Sequence, residues 1–335
     1  MSHYSNYPAL IDRFGRKVDY LRISITDRCD FRCVYCMSET MEFLPRGQVL
    51  SLEEIYTIAK AFTDLGVTKI RVTGGEPLVR KGALGLLEQI GRITNLRELV
   101  LTTNGSQLSS MAAELKRAGV KRINISLDTL NAANFKAITR TGDLAQVLHG
   151  IDAARDCGFE KIKINAVILK DKNHYEVTDL VQFAVDKGID ISFIEEMPLG
   201  KVSRHDRSAA YYSSDSIKAD LLVRFPLLAS TEKTGGPSVY YKVQGTQTRV
   251  GFISPHSNNF CSSCNRVRLT VEGRLLLCLG NEHSVDLKKV IRDHPNDSDL
   301  LKQTIVAAMH LKPEKHEFNI HEQPVILRHM NVTGG

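Results

Sequence analysis

Cys29, Cys33 and Cys36 fall within the eight residues CDFRCVYC, with Tyr35 beside the last of them. Clustered thiolates bind metal. Structural zinc takes four ligands in a closed tetrahedron, and no further Cys or His follows Cys36 before His149. A four-iron cube also takes four ligands. Three protein thiolates then leave one iron open to another molecule. A second triplet, Cys261, Cys264 and Cys278, has the same deficit. Its C-x2-C pair, followed by a hairpin pattern, looks like half a zinc ribbon, which brings two pairs. His256 or His283 would complete a zinc site there. The other reading is a second cube with its own open iron. Cys157 stands alone in ARDCGFE and reads as an inert core thiol.

Reading these cysteines as metal ligands rests on the expected compartment. The start MSHYSNYPAL lacks the basic and apolar regions of a secretory signal. No apolar run approaches the roughly 18 residues of a membrane span. The expectation is a cytoplasmic protein with no membrane partner, where thiols stay reduced. With 335 residues, 42% hydrophobic and 24% charged, the chain has room for one large domain or a large and a small one. The net charge of +6 suits a small polyanion or nucleic acid. There is no Trp, no basic tail and no alternation of basic and aromatic residues. A solvated basic surface without a nucleic-acid partner is expected.

The elements that position the cysteines alternate. Candidate strands are YLRISI (20–25), KIRVT (69–73), ELVLTT (98–103), RINISL (122–127), KIKINAVIL (161–169) and DISFIEEM (190–197). Helical patterns lie between them. In SLEEIYTIAKAFTDLG, Ser51 and Glu54 form a capping box and Gly66 ends the helix. QLSSMAAELKRAG (107–119) is a second helix. Alternating units of this kind build a parallel sheet, either an open doubly wound sheet or an incomplete barrel. KIKINAVIL puts Lys161, Lys163 and Asn165 on one face and Ile162, Ile164 and Ala166 on the other. A doubly wound strand is apolar on both faces. The polar face therefore suits the interior of a partial barrel, or else an edge strand in water.

After residue 200 the chain turns loop-like, then offers short antiparallel candidates: VYYKV (239–243), TRVGFI (248–253) and VRLTVEGRLLL (267–277), a hairpin turning near Glu272 and Gly273. The expected division is 1–200 and 201–335, the second part packing where the barrel is open. In NRVRL, Arg266 and Arg268 point to one face. Guanidinium forks suit phosphate oxygens. With Lys163 they describe a polyphosphate pocket, unless they are solvated surface charges.

The C-x3-C-x2-C spacing, with Tyr35 before the third cysteine, resembles the cluster loop of the radical S-adenosylmethionine superfamily. VTGGEPL (72–78), after the second strand, is similar to that superfamily's Gly-Gly-Glu-Pro segment. The resemblance narrows to the GTP 3′,8-cyclases of molybdenum cofactor biosynthesis through YLRISITDRCDFRCVYC, RVTGGEPL, LTTNG, NISLDTL, KIKINAV, FIEEMP, FCSSCNRVRLT, Cys278 and the terminal Gly334-Gly335. It implies an α/β fold, an incomplete (βα)6 TIM-like barrel closed by a C-terminal α+β cluster-binding region. It implies two [4Fe-4S] clusters, on Cys29, Cys33 and Cys36 and on Cys261, Cys264 and Cys278. Tyr35, Gly75, Ser126 and Met197 are the implied S-adenosylmethionine contacts. Arg22, Arg71, Thr102, Lys163, Arg266, Val267 and Arg268 are the implied GTP contacts, and the tail glycines reach into the active site.

The implied reaction begins with a 5′-deoxyadenosyl radical that takes the ribose 3′ hydrogen of GTP. Attack on guanine C8 then gives (8S)-3′,8-cyclo-7,8-dihydroguanosine 5′-triphosphate. A flavodoxin or ferredoxin as electron donor, cyclic pyranopterin monophosphate synthase downstream, and a homodimer complete the expectation. Two departures are visible: CMSE follows Cys36 where the family more often has Met-Pro, and Glu196 precedes Met197 where an aromatic is frequent. Neither is a ligand position.

Overall fold

The computed structural model describes residues 9–38, 40–200, 205–232, 234–319 and 326–334. Six strands follow the predicted order: β1 (Tyr20–Ser24), β2 (Lys69–Thr73), β3 (Glu98–Thr103), β4 (Val120–Ser126), β5 (Lys161–Val167) and β6 (Asp190–Ile194). Each pairs in parallel with the next. The helices after β1 to β5 include α1 (Leu52–Asp64), α2 (Ala83–Gly91), α3 (Leu108–Arg117), α4 (Ala132–Thr139), α5 (Leu144–Asp156) and α6 (Val177–Lys187). Ser51 Oγ accepts from the Glu54 amide while the Glu54 carboxylate accepts from the Ser51 amide. Both exposed ends of the first turn are thereby satisfied. At the other end Gly66 has φ +92, the left-handed conformation that stops the helix. Ile55, Ile58, Ala59 and Phe62 recur at helical spacing and are buried. At about 1.5–3 kcal/mol for each large side chain, that stripe holds α1 on the sheet.

Strand alternation separates two environments. Leu21, Ile23, Ile70, Val72, Leu101, Ile123, Ile125, Ile162 and Ile164 join the helices in one apolar core. The opposite faces carry Tyr20, Arg22, Arg71, Thr102, Asn124, Lys163 and Asn165, which line a common cavity. β5 lies between β4 and β6, so it is not an edge strand. Lys163 and Asn165 point inward to that polar space, while Lys161 at the start of the strand is exposed.

The later strands differ from the purely antiparallel expectation. β7 (Leu227–Ala229), β8 (Val239–Val243) and β9 (Arg249–Ile253) form one antiparallel run. β10 (Arg266–Leu269), β11 (Arg274–Leu276) and β12 (Ser284–Asp286) form another. β9 also pairs in parallel with β6, and β10 in parallel with β1. The sheet thus has twelve strands in the order β12-β11-β10-β1-β2-β3-β4-β5-β6-β9-β8-β7. Hairpins leave a local signature, the turn; a parallel partner far along the chain leaves none. Helices α7 (Arg207–Ala210), α8 (Ser214–Leu222), α9 (Leu287–Asp293), α10 (Ser298–Ala308) and α11 (Met330–Thr333) complete the described chain.

Candidate active site

The loop leaving β1 carries the first triplet and is held by neighbouring strand ends. The Gly75 amide donates to Thr26 O at 2.7 Å and the Glu76 amide to Arg28 O at 2.8 Å. A Cβ on Gly75 would lie 2.4 Å from Arg28 O, so only glycine allows this approach. Glu76 is fully buried and accepts from the Leu78 amide, the Asn104 amide and Thr103 Oγ1. Burial still pushes its carboxyl up to about 7. Asp30 accepts from Asn104 Nδ2 and Ser106 Oγ, both at 2.6 Å. The amides of Arg32 and Val34 donate to the carbonyls of Thr139 and Ile138, the last two residues of α4.

Burial pushes the Cys33 thiol well up and the Cys36 thiol up to about 12, and Cys29 upward as well. The three sulfurs disfavour one another's ionisation. Such thiols become thiolates when a cationic centre takes their charge. Tyr35 donates to Asp128 Oδ2 at 2.7 Å, and burial is the main cause that raises the Asp128 carboxyl to about 6. Tyr35, Met197 and Met330 line one small cavity. Ser126 ends β4, half-buried.

Met197 and Met330 also line the main cavity. Cys261, Cys264 and Cys278 line it together with Arg22, Arg71, Thr102, Lys163, Arg266 and Arg268. The first-triplet sulfurs do not line it. Val267 does not either: it is buried in the apolar core, its backbone between the two arginines. None of the described residues lining the cavity is Asp or Glu. Arg71 bonds Tyr20 OH at 2.5 Å and Thr102 Oγ1 at 2.8 Å. Lys163 bonds Ser192 Oγ at 3.1 Å and Tyr240 OH at 3.2 Å. Burial, then the charge of Arg266, brings Arg268 down to about 10. Burial, then Arg268, lowers Arg22. Crowded, desolvated cations of this kind favour a polyanion. The buried Asn124 Oδ1 and Asn165 Oδ1 have no hydrogen-bond partner among the described residues, a donor-seeking pair on residues that line the same cavity. Gly334 O accepts from Arg268 at 2.6 Å, and Met330 of the same segment lines the cavity; Gly335 lies outside the described residues.

Residues 23–184 match the Radical SAM superfamily and residues 189–318 match Molybdenum Cofactor Synthesis C. A GTP 3′,8-cyclase of Pseudomonas putida (strain W619) is 59% identical over 98% of this chain and 99% of its own length. One of Saccharophagus degradans is 57% identical over 97% and 98%. The chain belongs to the GTP 3′,8-cyclase family. It is therefore a radical S-adenosylmethionine enzyme of the first step of molybdenum cofactor biosynthesis, using S-adenosylmethionine and iron–sulfur chemistry. Among solved structures, Streptococcus suis SuiB bound to S-adenosylmethionine superposes with TM-score 0.61 at 17% identity, covering 90% of this chain and 77% of that one. That likeness shows the fold, an α/β TIM-like radical S-adenosylmethionine architecture.

The donor sets fit the clusters the family uses. Among the described residues, no three Cys, His, Asp or Glu side chains form a site for a single metal ion. In a cube, each thiolate binds a different iron. His256 is engaged elsewhere, with its Nε2 2.8 Å from Glu196 O. Glu196 itself is buried against His205 and Arg207, so this departure from the family forms an ion-pair cluster beside Met197. Sequence reasoning missed Tyr20, Asn124, Tyr240, Phe260, His316 and Phe318. Alternation in RINISL would have found Asn124. Alternation with Arg22 in YLRISI would likewise have found Tyr20, and Phe260 adjoins Cys261; His316 and Phe318 come from a segment with no motif.

Proposed function

We propose that the main cavity is where this GTP 3′,8-cyclase family member converts GTP to (8S)-3′,8-cyclo-7,8-dihydroguanosine 5′-triphosphate. The carrying observation is one cavity, with no Asp or Glu among its described lining residues, that unites a cysteine triplet with Arg22, Arg71, Lys163, Arg266 and Arg268. The triphosphate lies on those bases and displaces their mutual repulsion. Thr102 keeps Arg71 aimed, and Ser192 with Tyr240 keeps Lys163 aimed. The Val267 backbone follows the nucleotide between the arginines. Tyr35, Gly75, Ser126 and Met197 hold S-adenosylmethionine at the β1, β2, β4 and β6 ends.

Cys29, Cys33 and Cys36 would hold one [4Fe-4S] cluster, and Cys261, Cys264 and Cys278 a second that seats the purine. When bound, the first cluster supplies the electron that opens S-adenosylmethionine. The chain's share is orientation and exclusion of water. Met197 and Met330 line both cavities, which supports transfer of reactivity between them. The pairing of β9 and β10 on the two sides of the six-strand run supports an incomplete (βα)6 barrel, residues 1–200, closed by residues 201–335.

Family membership supports the remaining proposals: a cytoplasmic homodimer that draws electrons from flavodoxin or ferredoxin and feeds cyclic pyranopterin monophosphate synthase. Among the described residues no helix is long and apolar enough to cross a membrane. The test is anaerobic reconstitution with iron and sulfide counting, followed by turnover. Two cubes per chain are expected. Arg266→Ala should lose GTP turnover while still cleaving S-adenosylmethionine without coupling. A zinc-loaded, iron-free protein, or equal loss of both reactions, would defeat the assignment.

A further inference from the structure

Lys312 is 1% exposed, an uncommon place for an ammonium. Its Nζ lies 2.7 Å from Leu277 O, 3.0 Å from Arg266 O and 3.4 Å from Cys264 Sγ. Three donors meet three acceptors. No described carboxylate lies in ion-pair range, so the carbonyls satisfy its hydrogen bonds but not its charge. A buried ammonium without an anion costs several kcal/mol. The sulfur is the one acceptor here able to carry a negative charge.

The three acceptors are not arbitrary. Arg266 starts β10 two residues after Cys264, and Leu277 immediately precedes Cys278. One side chain thus ties together both strands of the hairpin that carries the second triplet and the arginines. The Lys312 segment is itself fixed to the same site. Arg16 donates to Pro313 O at 2.6 Å, to Glu314 O at 2.8 Å and to Cys261 O at 2.8 Å. A few residues on, His316 and Phe318 line the main cavity against Gly280.

We propose that Lys312 is a positioning residue of the second cluster, holding the Cys264 sulfur by a charged hydrogen bond and pinning β10 to the chain entering Cys278. The inference rests on the two-cluster reading above. Donors and positive charge at a cluster sulfur stabilise the more negative, reduced state and raise its potential. Lys312 therefore sets the electronic character of the iron that meets the purine, and it does so without touching substrate.

The test uses anaerobically reconstituted full-length wild type, Lys312→Gln, which keeps a donor without the charge, and Lys312→Met, which keeps neither. Iron per chain is counted and each cluster is titrated by electron paramagnetic resonance. In Lys312→Gln the second cluster's potential should fall while the first cluster's stays unchanged. Lys312→Met should lower it further or lose the second cluster alone, halving the iron with the first signal intact. An unchanged second-cluster potential in both variants overturns the proposal. So does joint loss of both clusters with a lowered melting temperature, which would make Lys312 a fold residue only. A wild type holding a single cube would instead defeat the two-cluster reading itself.

Discussion

Lys163 Nζ and the phenolic oxygen of Tyr240 lie 3.2 Å apart, one on β5 and the other on β8. The pair joins the two family-matched segments, with Lys163 lining the cavity. Burial lowers the pKa of Lys163, while Tyr240 favours its charge. Burial works to raise Tyr240, but Lys163, Thr234 and Ser238 together more than offset it and bring the phenol to about 8. The two therefore hold each other in place for an anionic ligand.

Removing the phenol should loosen that arrangement. Tyr240→Phe leaves Lys163 with Ser192 alone. One hydrogen bond contributes about 1 kcal/mol net, so the KM for GTP should rise roughly fivefold. Cleavage of S-adenosylmethionine in the absence of GTP should not change. Steady-state kinetics of both reactions decide it, and an unaltered KM would exclude the role.

A pH effect follows from Tyr20. Burial works to raise its pKa, but Arg71, Arg22 and Lys69 together bring it from 10.0 to about 7. The folded value is depressed, so the group adds stability as pH rises from about 7 towards 10 and loses it as pH falls through about 7. Its phenolate competes with a polyanion for Arg71. GTP affinity should therefore weaken as pH rises through about 7, and Tyr20→Phe should flatten that dependence. Binding titrations of both proteins across neutral pH measure it; equal slopes would rule the competition out.

Gly75 has no space for a side chain. The added Cβ of Gly75→Ala would meet Arg28 O at 2.4 Å and Asp27 O at 2.8 Å, both backbone atoms that cannot rotate away. The cluster loop must move. Reduced iron incorporation at the first triplet and weakened S-adenosylmethionine binding are expected, with far-ultraviolet circular dichroism preserved. Full iron and normal cofactor affinity would contradict the argument.

Glu76 ties the ends of β2 and β3 beneath the same loop. Glu76→Ala strands the Leu78 and Asn104 amides and the Thr103 hydroxyl. With about 1–3 kcal/mol for each buried unsatisfied group, a loss of about 3 kcal/mol or more is expected in denaturant unfolding. Glu76→Gln keeps an acceptor and should lose less.

The tail offers a sharper substitution. Gly334 has φ +77, and a Cβ there would lie 1.8 Å from Thr73 Oγ1. Gly334→Ala should expel the tail from Arg268 and abolish GTP turnover while S-adenosylmethionine cleavage continues uncoupled. Product analysis by chromatography separates the two, and retained cyclisation would show that the tail contact is dispensable.

Local chemistry alone made much of this protein legible. Three cysteines in eight residues, the glycine pair after KIRVT and the alternation in KIKINAVIL each report on their own neighbourhood, because spacing and strand period are properties of contiguous chain. Those signals were enough for the six parallel units and the inward polar face, and they marked the candidate metal ligands. Tertiary structure alone decided that β10 lies beside β1 and β9 beside β6, that Tyr20 answers Arg71, and that Lys312 reaches Cys264. Each of those pairings brings together residues dozens to hundreds of positions apart. Their energy exists only once the folded chain has brought those distant segments into contact.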